Sequence, residues 1–176
     1  MNDINTPNEL LSYMDNIIYG YKGNDGKYYT DDYSNFGSLC EVQTGEEVSK
    51  SKIGTCWDQV ELEASWFESH NYEYETYFMW FEVGYECDLP THTFLIYKEN
   101  GKYYMFEHAF EAYRGIHEYN TLNEAIEDAM DKHIDYALKN RNLKEEEKDT
   151  LRIYKYDRIP NNLPINEYLD HVTHNR

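Results

Sequence analysis

The feature that most constrains this chain is a pair of apolar runs facing each other across an Asn-Gly turn. Thr91 to Lys98 is β-branched and aromatic, Glu99-Asn100-Gly101-Lys102 carries the turn, and Tyr103 to Phe106 returns. Asn-Gly readily adopts the left-handed backbone that a two-residue hairpin turn demands, so the runs are predicted to pair antiparallel in fixed register. Upstream, Tyr72, Tyr74, Thr76, Phe78 and Trp80 alternate with Glu73, Glu75 and Tyr77, the period of two of another strand. Such a sheet must bury its apolar face against something, and helices are the available cover.

Helical spacing supplies that cover. Thr6-Pro7 reads as an N-cap with proline in the first turn, and Leu10, Leu11, Met14, Ile17 and Ile18 extend a predicted N-terminal helix over about residues 7–19, with Gly20 as its stop. Residues 20–38 are turn-rich, a loop or a poor hairpin around Tyr28-Tyr29-Thr30, and Thr44 to Val48 opens a short helix ending near Gly54. Cys56 to Ser69 fits a central helix. Thr121 with Glu124 forms a capping box for a later helix through Leu138, Leu151 to Tyr156 alternates as a strand, and Pro164 to His171 closes the chain as a short helix. The order predicts an α+β fold, a helix packed on an antiparallel β-sheet, rather than alternating α/β. At 176 residues, against roughly 150 per domain, one domain spanning 1–176 is expected.

Charge narrows the function classes. Sixteen Lys+Arg against 34 Asp+Glu leave a net charge of -18. Polyanion binding rests on basic contacts that release counterions, so direct nucleic-acid binding is not expected, nor is docking on anionic lipid. No stretch approaches the 18 apolar residues of a membrane span, and Met1 to Leu11 shows no secretory leader. Three cysteines are too few for a disulfide framework, which points to a reducing, cytoplasmic setting.

One of those cysteines stands where chemistry is plausible. In Gly54-Thr55-Cys56-Trp57, the cysteine falls in the first turn of the predicted helix, where unpaired N–H groups and the macrodipole favour negative charge. The thiolate is the nucleophilic form, so the position favours reactivity. The alternative is a packed core thiol, since free cysteine is among the most buried residue types; Cys40 and Cys87 are read that way. His92 opens the first strand of the hairpin, and Glu107 follows 15 positions later at the end of the second. Across a two-residue turn those positions lie side by side, so Glu107 is expected to reach and orient the imidazole, and His92 to serve Cys56.

Gly54-Thr55-Cys56-Trp57, His92 opening a strand, and Asn100-Gly101-Lys102-Tyr103-Tyr104-Met105-Phe106-Glu107 together resemble the core of the transglutaminase-like superfamily, within the papain-like cysteine peptidase fold. The likeness covers about residues 40–112, leaving the N-terminal helix and a helix–strand–helix of about 121–171 outside it. Glu107 stands where the family usually has Asp, and Tyr103-Tyr104 replaces its Trp-Tyr. The resemblance implies a catalytic Cys56-His92-Glu107 triad acting through a thioester on an amide or ester carbonyl, by hydrolysis or acyl transfer, with no cofactor. It also implies an oxyanion site built from the Cys56 backbone N–H and one further donor, for which Gln43 is the side-chain candidate. Trp57 matches the family's aromatic residue after the nucleophile, a substrate-binding candidate.

Other readings compete. His108, Glu111, His117, His171 and His174 are ligand types, but none forms a zinc-type spacing, so no metal site is expected. The charge of -18 and 19 tyrosines also suit a non-catalytic acidic binder, such as a DNA mimic or inhibitor. If the chain is an enzyme, its charge should steer cationic peptide or protein substrates, an attraction that weakens with salt.

Overall fold

The computed structural model describes residues 3–83 and 89–174; Cys87 lies outside them. The first half of the chain runs α1 (Pro7–Met14), β1 (Tyr21–Gly23), β2 (Tyr28–Tyr29), α2 (Phe36–Leu39), β3 (Cys40–Val42), α3 (Gly45–Ser51), α4 (Cys56–Ser69) and β4 (Glu73–Phe81). The second half continues β5 (His92–Glu99), β6 (Lys102–Glu107), β7 (Gly115–Tyr119), α5 (Leu122–Asn140), β8 (Leu151–Tyr156), β9 (Leu163–Pro164) and α6 (Ile165–His174). The class is mixed α+β, with two antiparallel sheets.

The Asn-Gly turn organises the larger sheet. Asn100 and Gly101 hold φ of 51° and 78°, the left-handed pair of a two-residue hairpin, and fix Glu99 opposite Lys102 and Leu95 opposite Phe106. Five strands follow in the order β7-β6-β5-β4-β8. Both faces are covered. Leu95, Tyr97 and Phe106 pack with Trp66 and Phe67 of α4 and with Leu10 and Met14 of α1. Phe94, Ile96 and Met105 pack with Ala125, Ala129 and Ala137 of α5. This is why β5 is buried at six consecutive positions, and why Tyr77, on the same parity of β4 as Glu73 and Glu75, is buried.

A smaller sheet, β2-β1-β3-β9, stands beside the start of α4. Its β3–β9 pairing joins segments far apart in sequence, Val42 with Leu163, and each strand is two or three residues long. The turn-rich stretch 20–38 therefore contributes a real hairpin, Tyr21 opposite Tyr29.

The N-terminal helix is shorter than its apolar spacing predicts. It ends at Met14 rather than near residue 19, because the backbone beyond is engaged elsewhere. Ile18 forms a parallel bridge with Ile53, donating its N–H to the Lys52 carbonyl (2.8 Å) and accepting from Gly54 N–H (3.1 Å). That bridge lays residues 17–20 alongside the entrance to α4.

Candidate active site

The site is built from the first turn of α4 and the open end of the β5-β6 hairpin. Thr55 is the extended N-cap and Cys56 the first helical residue. Asp58, at the third, accepts hydrogen bonds from the Thr55 N–H (2.8 Å) and hydroxyl (2.7 Å) with one oxygen, and from the Gln43 N–H (2.7 Å) with the other. Burial pushes its pKa up to about 6, against the downward pull of those bonds. Gln59 secures the same turn from below: its amide donates to the Gly54 carbonyl (2.9 Å) and its oxygen accepts from His108 Nδ1 (2.7 Å). Burial, aided by Arg114, lowers the His108 pKa, so this imidazole is a neutral structural donor.

Two hydrogen bonds lock the helix mouth to the strand that bears His92. The Thr93 hydroxyl donates to the Cys56 carbonyl (2.7 Å), and the Trp57 indole N–H donates to the Thr91 hydroxyl (3.2 Å). The neighbours on either side of His92 thus hold Cys56 and its successor. One register step past Leu95–Phe106, Glu107 falls opposite Phe94 and becomes the diagonal neighbour of His92 on the same face. Its Oε2 accepts from His92 Nε2 at 2.7 Å, and its Oε1 accepts from the Phe110 N–H at 2.8 Å. Both carboxylate oxygens are committed, which fixes the longer glutamate arm, and Nδ1 of the imidazole is left for the sulfur.

Electrostatics follow from that geometry. Burial alone would lower the His92 pKa, but the Glu107 carboxylate and the adjoining Cys56 sulfur more than offset it and raise it to about 10. His133 of α5 lies stacked on the same ring, centroids 6.1 Å apart, and donates from Nε2 to the Pro90 carbonyl (3.1 Å). Burial, together with the charge on His92, drops its pKa to about 3. One imidazole is held charged and its neighbour neutral. Beneath them Glu63 of α4 is buried with one oxygen unpartnered among the described residues, and burial and the nearby Glu107 raise its pKa well above the ordinary range.

Cys56 and His92 open onto one cleft of about 480 Å³, also lined by Tyr19, Phe110, Glu111, His133, Tyr136 and Arg141. The structure brings Cys56, His92 and Glu107 together. It does not bring Gln43 to the sulfur: that side chain is buried, donating to the Ile53 carbonyl (2.9 Å) and accepting from the Ser51 hydroxyl (3.1 Å), so it shapes the segment facing Ile18 instead. Trp57 is also turned inward, its ring packed on Phe36 and Tyr168, and acts on the site through Thr91. Tyr19 and His133 are among the cleft residues that escape sequence reasoning. His133 sits on the apolar face of an amphipathic helix pattern; nothing local marks it as facing another imidazole.

Among the described residues no group of three or more His, Cys, Asp and Glu could hold a metal ion, and no helix is long and apolar enough to cross a membrane. Compared with protein-family models, curated proteins and solved structures, the chain matches none.

Proposed function

We propose that this protein is a cysteine-dependent hydrolase or acyltransferase of transglutaminase-like, papain-like type, acting on peptide or protein amide and ester carbonyls. The observation that carries the reading is the buried 2.7 Å Glu107–His92 contact, on an imidazole that shares a solvent-open cleft with Cys56 at a helix N-terminus. A charged imidazole and first-turn N–H groups are the surroundings in which a cysteine serves as a nucleophile.

Cys56 Sγ attacks the carbonyl carbon, forming a C–S bond while the carbonyl electron pair moves onto oxygen. The Cys56 backbone N–H, without an intrahelical partner at this position, stabilises that oxyanion. His92 Nδ1 delivers its proton to the departing nitrogen or oxygen, the C–N or C–O bond breaks, and an acyl thioester remains. Water or an amine then attacks the thioester, His92 recovers a proton from it, and the thiolate leaves. Glu107 keeps Nε2–H engaged throughout, so the ring neither flips nor changes tautomer.

Among the described residues that line the cleft, Glu111 is the one acidic side chain and Arg141 is basic. The net charge of -18 therefore acts from the surrounding surface, steering cationic substrates toward the cleft rather than binding them in it. A reducing, cytoplasmic compartment suits a free thiol in this role.

The test is acylation by p-nitrophenyl acetate followed by intact-mass measurement and peptide mapping. An acetyl adduct on Cys56, absent in Cys56→Ala and strongly slowed in His92→Ala, is the expected result; hydroxylamine in place of water then reports whether an amine can accept the acyl group. Acetylation indifferent to His92→Ala contradicts the reading and leaves an acidic binding protein.

A further inference from the structure

We propose that the Tyr19 phenol is the second oxyanion donor of the Cys56 site, an inference that rests on the acyl-transfer reading above. The backbone places it there. The Ile18–Ile53 bridge aligns the segment before Gly20 with Gly54-Thr55-Cys56. At Gly20 an added Cβ would lie 2.6 Å from the Tyr29 carbonyl oxygen and 2.9 Å from Ile53, so the chain after Tyr19 is pressed against the small sheet. The Tyr33 hydroxyl, 3.4 Å from the Tyr19 carbonyl, secures the other side, and the two rings lie 6.4 Å apart.

From this anchored backbone the ring reaches into the cleft beside Cys56 and His92. Its hydroxyl lies in the field of the Cys56 sulfur, the largest influence on the phenol. The Cys56 backbone N–H is the donor a tetrahedral oxyanion uses, and the phenol shares the cleft that the substrate's carbonyl must enter. An arriving carbonyl accepts from that N–H with the phenol beside it. Tyr19 is 48% exposed, and with substrate in the cleft its O–H donates to the same oxygen. The Cys56 sulfur beside it, then burial, then Tyr33 raise the phenol's pKa, so the proton needed for donation is retained. Gln43, whose amide is tied to Ile53, helps hold the strand that seats Tyr19 rather than supplying the donor itself.

Two probes separate this role from others. Acylation by p-nitrophenyl acetate forms a C–S bond, builds an oxyanion and expels p-nitrophenolate; alkylation by iodoacetamide forms a C–S bond and expels iodide with no oxyanion. Removing the hydroxyl in Tyr19→Phe is expected to slow Cys56 acylation about 10²-fold, the scale of one lost oxyanion donor. Alkylation should stay within about twofold, because it draws only on the sulfur. Equal slowing of both reactions would overturn the proposal by making Tyr19 a positioning residue for the sulfur. Acceleration of both would make the phenol a plug, and no change in either would make it a bystander; each overturns the proposal. Wild-type acylation that persists in Cys56→Ala would instead refute the parent reading, and it is seen without any Tyr19 variant. A melting temperature matching wild type checks that Tyr19→Phe is folded.

Discussion

Cys40 and Cys56 belong to the same core cluster at the start of α4, and both are buried, at 2% and 7% exposure. Burial therefore does not distinguish them; neighbours do. Cys40 sits in β3 within the small-sheet core, and burial, with the carboxylate of Asp58, the Cys56 sulfur and Glu41 nearby, pushes its thiol far above the usual range. Cys56 has a helix mouth behind it, a charged imidazole beside it and an open cleft in front. The same residue type becomes a packing group in one place and a candidate nucleophile in the other. The signs of the surrounding charges and access to solvent make the difference.

The comparison breaks most visibly under substitution of the two cysteines. Cys56→Ala should remove p-nitrophenyl acetate acylation at that site altogether. Cys40→Ala should leave acylation intact and lower stability by about 1–2 kcal/mol, the order expected for trimming a small buried group, as read by urea unfolding. Next in size, His92→Ala is expected to cut the acylation rate by about 10²–10⁴, the range of general acid–base effects. Glu107→Gln should cost less, about 10–10², because the imidazole stays present and loses only its charged anchor. Stopped-flow release of p-nitrophenolate measures both.

A subtler test uses pH. The His92 pKa is raised in the folded state, from an ordinary value of 6.5 to about 10. The folded protein thus holds a proton that the unfolded chain releases, so this contribution is complete below pH 6.5 and is lost as pH rises through 10. Glu61, buried in α4 and pushed up to about 8 by that burial, gives a slope of the same sign beginning lower, from its ordinary 4.5 upward. Urea unfolding across pH 5–10 should show stability falling with pH, less steeply above pH 8 in Glu107→Gln and less steeply below pH 8 in Glu61→Gln. Smallest of all, Trp57→Phe removes the hydrogen bond to Thr91, worth about 1 kcal/mol, and should slow acylation only a few-fold by loosening the strand end.

What was legible in the sequence was local or nearly so. The bounds of α4 match the predicted helix Cys56 to Ser69, but Asp58, Glu61 and Glu63, which the pattern puts on its wetter side, are buried. The nearness of His92 and Glu107 follows from counting around one two-residue turn. What escaped depends on contacts between distant segments: the Ile18–Ile53 bridge that truncates α1 and delivers Tyr19, and the pairing of β3 with β9. Strand β7 escaped because Gly115–Tyr119 is only partly buried and carries no run of apolar residues. Gln43 shows the limit from the other side. Its type and place before Cys56 suit an oxyanion donor, yet the amide had closer acceptors in Ile53 and Ser51, which no spacing rule reveals.

The most direct test of the central claim is the protonation state of His92, read by nitrogen-15 NMR of its imidazole in the wild-type protein and in Cys56→Ser. If sulfur, imidazole and Glu107 act as one charged unit, the wild-type ring remains doubly protonated at pH 8 and titrates only near 10, and Cys56→Ser moves that titration downward. A wild-type ring already neutral at pH 7, or one whose titration ignores the loss of the sulfur, would contradict the account.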